Sequence, residues 1–208
     1  MRKQSKAEEN LNALSHGLGV LLSLVGLILL VAFLEDRSAI NTFSVVVYGF
    51  SLLLLFSAST LYHSVRNEKH KHYFRIVDHI SIYILIAGTY TPVVLMALQD
   101  SLGWELFWLV WGIAAVGTIL KLFFTGKYEI FSTLLYLVMG WLIVFDFGNL
   151  SDFIGPNGVL LLFAGGMCYT LGIVFYVIER IPYHHVIWHV FVLGGAISHF
   201  LMIFFYVI

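Results

Sequence analysis

Apolar residues in this chain run on in stretches too long and too continuous to form one face of a helix or strand in water. Cutting the chain where charge, proline or clustered glycine interrupts them leaves seven runs: 14–34, 43–63, 76–98, 104–124, 130–148, 157–178 and 186–207. A helix crossing the hydrocarbon layer needs about 20 mostly apolar residues, which each run approaches or exceeds. The pattern predicts an all-α integral membrane protein, a seven-transmembrane helix bundle in which residues 1–208 form one domain. Residues 1–13 are polar and basic, and the run after them reads as a retained first helix rather than a cleaved signal. The links between runs are too short to fold alone, so any chemistry belongs inside the bundle or at its edges.

Composition removes the alternatives. Of the 208 residues, 60% are hydrophobic and only 11% charged, where a soluble domain carries about 25% charged residues. The formal net charge is -1, and no concentrated basic face exists for a phosphate backbone, so nucleic acid is excluded as a partner. The single cysteine, Cys168, lies within an apolar run and reads as a small packing residue. Charge does set an orientation. Arg2, Lys3, Lys6, Arg66, Lys69, Lys71, Arg75, Lys121, Lys127 and Arg180 fall on one side of the predicted membrane, and Arg37 alone on the other. Short basic links resist translocation, so residues 1–13 and the N-terminus are expected in the cytosol and the C-terminus outside it.

Ionisable groups within a span are costly unless they meet a partner, a cavity or a metal. Four fall at one predicted depth: His63 at the end of the second run, Asp78 at the start of the third, and His185 and His189 at the start of the seventh. Residues four apart on a helix share a face and lie about 6 Å apart, so His185 and His189 can chelate one ion. His63 would complete three imidazoles, the donor set of a catalytic zinc site that keeps a fourth position for water. Zinc would bring the pKa of that water to about 7. Val186 stands where an HExxH helix has its glutamate, so a general base must come from elsewhere, and Asp78 is the candidate. Ser59, one turn before His63 on the same face, could touch the water, a substrate carbonyl or a ligand imidazole. Structural readings stand beside these, because paired histidines also hydrogen-bond and Asp78 could pair with Arg75 or cap its helix.

Other polar residues are expected to do other work. His70 and His72 lie in a basic link and read as solvated or near lipid phosphates. His79 and His184 are rotated by about 100° from Asp78 and His185. His199, ten residues beyond His189 and so about 15 Å deeper, should hydrogen-bond to another helix or line a cavity. His16, with Glu9 and Asn12, could reach the site from the first run or serve in capping, while Asp146 belongs to the opposite end. Pro92 should kink the third helix.

The residues Glu9-Asn10 through Ser15-His16, Ser59 to His63, Asp78 to Tyr83, Gly88 to Pro92, and His185 to His189 running on to His199 follow a known pattern. In order and placement they resemble the bacterial hemolysin III proteins of the progestin and adipoQ receptor family and, more distantly, the alkaline ceramidases. The resemblance implies seven helices, a zinc ion held by His63, His185 and His189 near the cytosolic face, Asp78 holding its water, and Ser59 as the serine of the pattern. It also implies a zinc-dependent hydrolase of a lipid amide or ester in the bacterial inner membrane, with membrane lipids as partners and a role in lipid homeostasis. The competing readings are a non-enzymatic fluidity sensor with structural zinc and a hemolysin-type pore former. The last fits poorly, because no amphipathic segment waits to insert.

Overall fold

The structure, a computed structural model, describes residues 4–208, so Arg2 and Lys3 of the orientation argument lie outside the described residues. Helix α1 (Lys6–Phe33) starts before its apolar run because its first turn is capped. The Ser5 hydroxyl accepts from the Glu8 N–H at 3.2 Å, and the Glu8 carboxylate accepts from the Ser5 N–H at 2.8 Å. Its buried residues, Glu8, Asn12, His16, Gly19, Ser23, Gly26 and Leu30, recur every three or four positions. A polar and small stripe therefore faces inward, while Leu14, Leu21, Val25 and Ile28 face outward, each more than half exposed. This inverts the pattern of a helix in water and suits packing within lipid, where small residues let backbones approach.

Helix α2 (Ala39–Ser64) is capped by Ser38, and α3 (Glu68–Pro92) by Asn67, whose side chain accepts from the N–H groups of Lys69 and His70. That cap lets α3 begin well before its apolar run at 76, which puts Lys71 and Arg75 on the helix rather than in a link. Pro92 cannot donate to the carbonyl one turn back, and the chain widens after it into a π turn, Val93–Ala97. Helix α4 (Gly103–Phe124) follows. Trp108 is 68% exposed on it, as an interfacial anchor would be, whereas Trp111 turns inward and donates to the Thr91 hydroxyl at 3.2 Å.

Six helical runs among the described residues are long and apolar enough to cross a membrane, not the seven expected. The fifth and sixth expected spans are joined: α5 (Glu129–Trp141), a 3-10 segment (Leu142–Asp146) and α6 (Phe147–Val177) continue as one run of 49 residues. Straight, it would reach about 74 Å, against a hydrocarbon core of about 30 Å. It is not straight. Gly155 has φ 65 and ψ -179, a conformation open to glycine almost alone, and Pro156 starts the next helical turn. The Phe147 and Phe163 rings, on either side of that bend, lie 5.7 Å apart, and the Trp141 indole donates to the Thr170 hydroxyl at 3.3 Å. The run thus folds back on itself at the far end of the link expected between 148 and 157, whose first residues, Asn149, Ser151 and Asp152 among them, remain helical.

Helix α7 (His184–Tyr206) packs along α6 and closes against α1, while α1, α2, α3 and α4 pack in sequence. Side-chain bonds gather the start of α1, the end of α2 and the start of α3 at one end of the bundle, through Glu9, His63 and Lys71. The end of α4 and the start of α5 join the start of α3 through Lys121, Glu129 and Arg75. At the other end, Asp146 ties the link between α3 and α4 to the 3-10 segment.

Candidate metal centre

His63 occupies the last turn of α2, and His185 and His189 the first turns of α7. The α7 start is set by Tyr183 in the left-handed region, with φ 57, and by the His184 ring, whose Nδ1 donates to the Phe175 carbonyl at 2.9 Å. His184 is thereby turned away, as its rotation suggested, and its neighbour His185 faces in. One ring nitrogen from each of His63, His185 and His189 lies within 4.8 Å of the others, and all three side chains are buried. The sequence expectation that these three meet is thus realised geometrically, and three buried histidines are placed so that they could hold one metal ion.

Hydrogen bonds on the far side of the rings say which nitrogens are available. His63 Nδ1 donates to the Glu9 carboxylate at 2.7 Å, and that carboxylate also accepts from Lys71 at 2.8 Å. With Nδ1 carrying the proton, His63 Nε2 presents a lone pair, and it is buried with no partner among the described residues. His189 Nδ1 donates to the Asn12 carbonyl at 3.3 Å, with the Ser15 hydroxyl 3.4 Å away. A buried acceptor left unpaired costs about 1–3 kcal/mol. A cation removes that cost, and a carboxylate or carbonyl behind each imidazole is the usual means of orienting a metal-binding histidine. The donor set fits a metal that accepts neutral imidazole.

The first helix contributes more than was expected of it. His16 stacks on His189, with centroids 3.6 Å apart and planes at 11°, and meets Phe56 edge-on. It caps nothing. Asn12 and His16 lie on the inward stripe of α1, with half-buried Glu9 beside it, and polar residues at the head of an apolar run are the signal that would have assigned them to the site. Asp78 is only 14% exposed and lies within Coulombic range of His63, His185 and His16, so helix α3 does bring it to the cluster. Its closest polar neighbour is His79, whose Nδ1 is 3.5 Å from the carboxylate. Ser59 is buried one turn before His63.

Beside the cluster sits a charge network that sequence reasoning missed. Lys121, counted above among the link residues, is 1% exposed and donates to Glu129 at 2.7 Å. Glu129 also accepts from Arg75 at 3.3 Å and from the Gly126 N–H at 2.9 Å. A lysine closing an apolar run with a glutamate eight residues on gave no hint that the turn between them would fold the two together.

An apolar cavity of about 310 Å³ opens between α3, α5, α6 and α7. Its wall comes next to the cluster at Tyr176 and Trp188: Tyr176 lies 6.2 Å from His185 and 5.4 Å from Trp188, centroid to centroid. His199 lines the cavity and also donates to the Leu162 carbonyl at 3.2 Å, so both roles expected of it are present.

Comparison with known proteins covers this whole arrangement. The family profile described as haemolysin-III related matches residues 4–200. The chain is 44% identical over 200 residues to the hemolysin-3 homolog of Bacillus subtilis (strain 168), covering 96% of this chain and 94% of that one. It is 43% identical over 204 residues to hemolysin-3 of Bacillus cereus, with 97% and 92% covered. The human monocyte to macrophage differentiation factor is 31% identical over 202 residues, with 93% and 82% covered. The matched region carries every helix that contributes to the His cluster, and the chain belongs to the haemolysin-III related family as a multi-pass membrane protein.

Proposed function

We propose that this protein is a zinc-dependent hydrolase of the bacterial inner membrane that cleaves an amide or ester bond of a membrane lipid and so serves lipid homeostasis. The observation that carries the reading is the adjacency of two features: three buried histidines with at least one free lone pair, and an apolar cavity separated from them by the Tyr176 ring, 6.2 Å from His185. His63, His185 and His189 would hold the ion, which supplies Lewis acidity for acyl transfer to water. Asp78 accepts the proton of the attacking water, and Ser59 contacts the carbonyl or a ligand ring. The acyl chain lies in the cavity, which excludes water from its length.

The same reading includes topology. The basic residues Lys6, Arg66, Lys69, Lys71, Arg75, Lys121, Lys127 and Arg180 belong to the His end of the bundle, which we place in the cytosol. The folded run Glu129–Val177 crosses twice, turning at Gly155, so that the C-terminus lies outside.

The deciding experiment compares metal content and lipid hydrolysis in purified wild type and Asp78→Asn. The expected result is close to one zinc per chain in both, with turnover lost in the variant by at least about a hundredfold. Equal hydrolysis by metal-free protein would overturn the proposal. One observation favours a second reading: the ligands come from α2 and α7, with Glu9 of α1 behind them, so an ion there would also staple three helices. A purely structural zinc predicts that chelation lowers thermal stability while Asp78→Asn leaves cellular function intact.

A further inference from the structure

The apolar cavity has one chemically unusual region, deep in the bundle. His199 and Tyr169 line it there, with ring centroids 5.6 Å apart. Helix packing holds both rings. His199 of α7 fills the space a Cβ would take at Gly165 of α6, and Tyr169 of α6 fills the same space at Gly195 of α7. The two helices exchange rings across their contact. Gly165 meets the Cδ2–Nε2 edge of His199, which leaves the Nδ1–Cε1 edge pointing away from α6.

The hydrogen bond to the Leu162 carbonyl requires the proton on Nε2, so a neutral His199 carries a lone pair on Nδ1. That nitrogen has no partner among the described residues, and neither has the Tyr169 hydroxyl. Outside the cavity lining, the Tyr48 hydroxyl of α2 is fully buried, unpartnered, and within Coulombic range of Tyr169. An acceptor and a donor thus stand together in a cavity lined mainly by apolar side chains. A plain hydrocarbon chain would leave both unpaired, which costs free energy. A hydroxyl satisfies both, since it donates through its hydrogen and accepts through its oxygen.

We propose that this region is a hydroxyl-binding subsite, and that the cavity takes a lipid chain bearing one hydroxyl in mid-chain. His199 Nδ1 accepts from that hydroxyl, and the Tyr169 hydroxyl donates to its oxygen. Helix α7 provides the ruler: ten residues separate His189 from His199, which sets the hydroxyl about 15 Å along the chain from the metal centre. The inference rests on the reading of the cavity as an acyl-chain site and adds the class of chain it selects. Sites built to hydrogen-bond a hydroxyl discriminate against the analogue that lacks one, because their own polar groups are then stranded.

The test is binding, not turnover. Affinities for labelled stearic acid and for a mid-chain hydroxystearic acid are measured on the full-length protein in nanodiscs. Wild type should hold the hydroxylated acid about tenfold more tightly. Tyr169→Phe and His199→Phe should each bring the ratio close to one while stearic acid binds as before, which also reports that the variants fold. Tyr169→Phe removes a single oxygen and decides the matter if His199→Phe does not fold. Stearic acid bound with no preference in wild type, or a preference that survives both substitutions, overturns the hydroxyl subsite and leaves the acyl-chain reading in place. Binding of neither acid overturns the acyl-chain reading and the subsite with it.

Discussion

At the end of the bundle away from the histidines, Asp146 has both carboxylate oxygens filled. One accepts from the Ser101 hydroxyl at 2.6 Å and the Leu102 N–H at 2.9 Å, the other from Asn149 at 2.7 Å. At the His end, by contrast, His63 is anchored through one nitrogen and left open at the other. Both groups are buried, and both knit elements distant in sequence. The difference lies in what remains after internal bonds are counted. Asp146 has spent its capacity on the fold and is read as structure, whereas the His cluster keeps the His63 Nε2 lone pair open to an external ligand such as a cation. The Glu129 network belongs with Asp146 in this respect, because Lys121, Arg75 and a backbone N–H saturate it.

Substitutions at the two ends should separate metal binding from stability. The largest effect is expected from His63→Ala or His189→Ala, which should take zinc from close to one ion per chain to none by elemental analysis. Full occupancy in either variant would mean that the cluster is not the metal site. Next comes Lys121→Met, which removes the buried cation from Glu129 while Arg75 and the Gly126 N–H remain, and should destabilise the protein by about 2 kcal/mol in thermal or denaturant unfolding, with zinc content unchanged. Glu9→Gln leaves the three imidazoles in place but weakens the acceptor behind His63, and a chelator competition should show affinity reduced about tenfold or more. An affinity equal to wild type would remove Glu9 from any part in the centre. The smallest effect is expected from Asp146→Asn, a loss of about 1–2 kcal/mol in unfolding with no change in metal affinity. A metal defect there would break the distinction between the two ends.

Much of the helical plan was legible in the chain, since lipid forces the backbone to satisfy its own hydrogen bonds and so leaves long apolar runs as a direct trace of helices. The boundaries were less so. Helices α1 and α3 begin earlier than their apolar runs because Ser5 and Asn67 cap polar turns, and hydropathy does not register a cap. The fifth and sixth runs were read as separate because a polar stretch divides them; most of that stretch stays helical, and the direction changes near its end, at Gly155. His63, His185, His189 and Asp78 could be picked out because each is a costly group at a common depth. Lys71, Lys121 and Glu129 could not, since a charge near the end of a run is equally consistent with solvent.

The sequence by itself determined the solvent of this protein, its helical class and the residues able to ligate a metal, because these follow from composition, run length and side-chain chemistry. Only the tertiary structure decided which nitrogen of His63 is free, that α1 supplies the groups behind the ligands, and that a cavity runs from His199 to the rings beside the cluster. Those depend on how helices rotate and cross. In a bundle where nearly every surface is apolar, rotation is set by small residues and single hydrogen bonds between helices, which no one-dimensional pattern records.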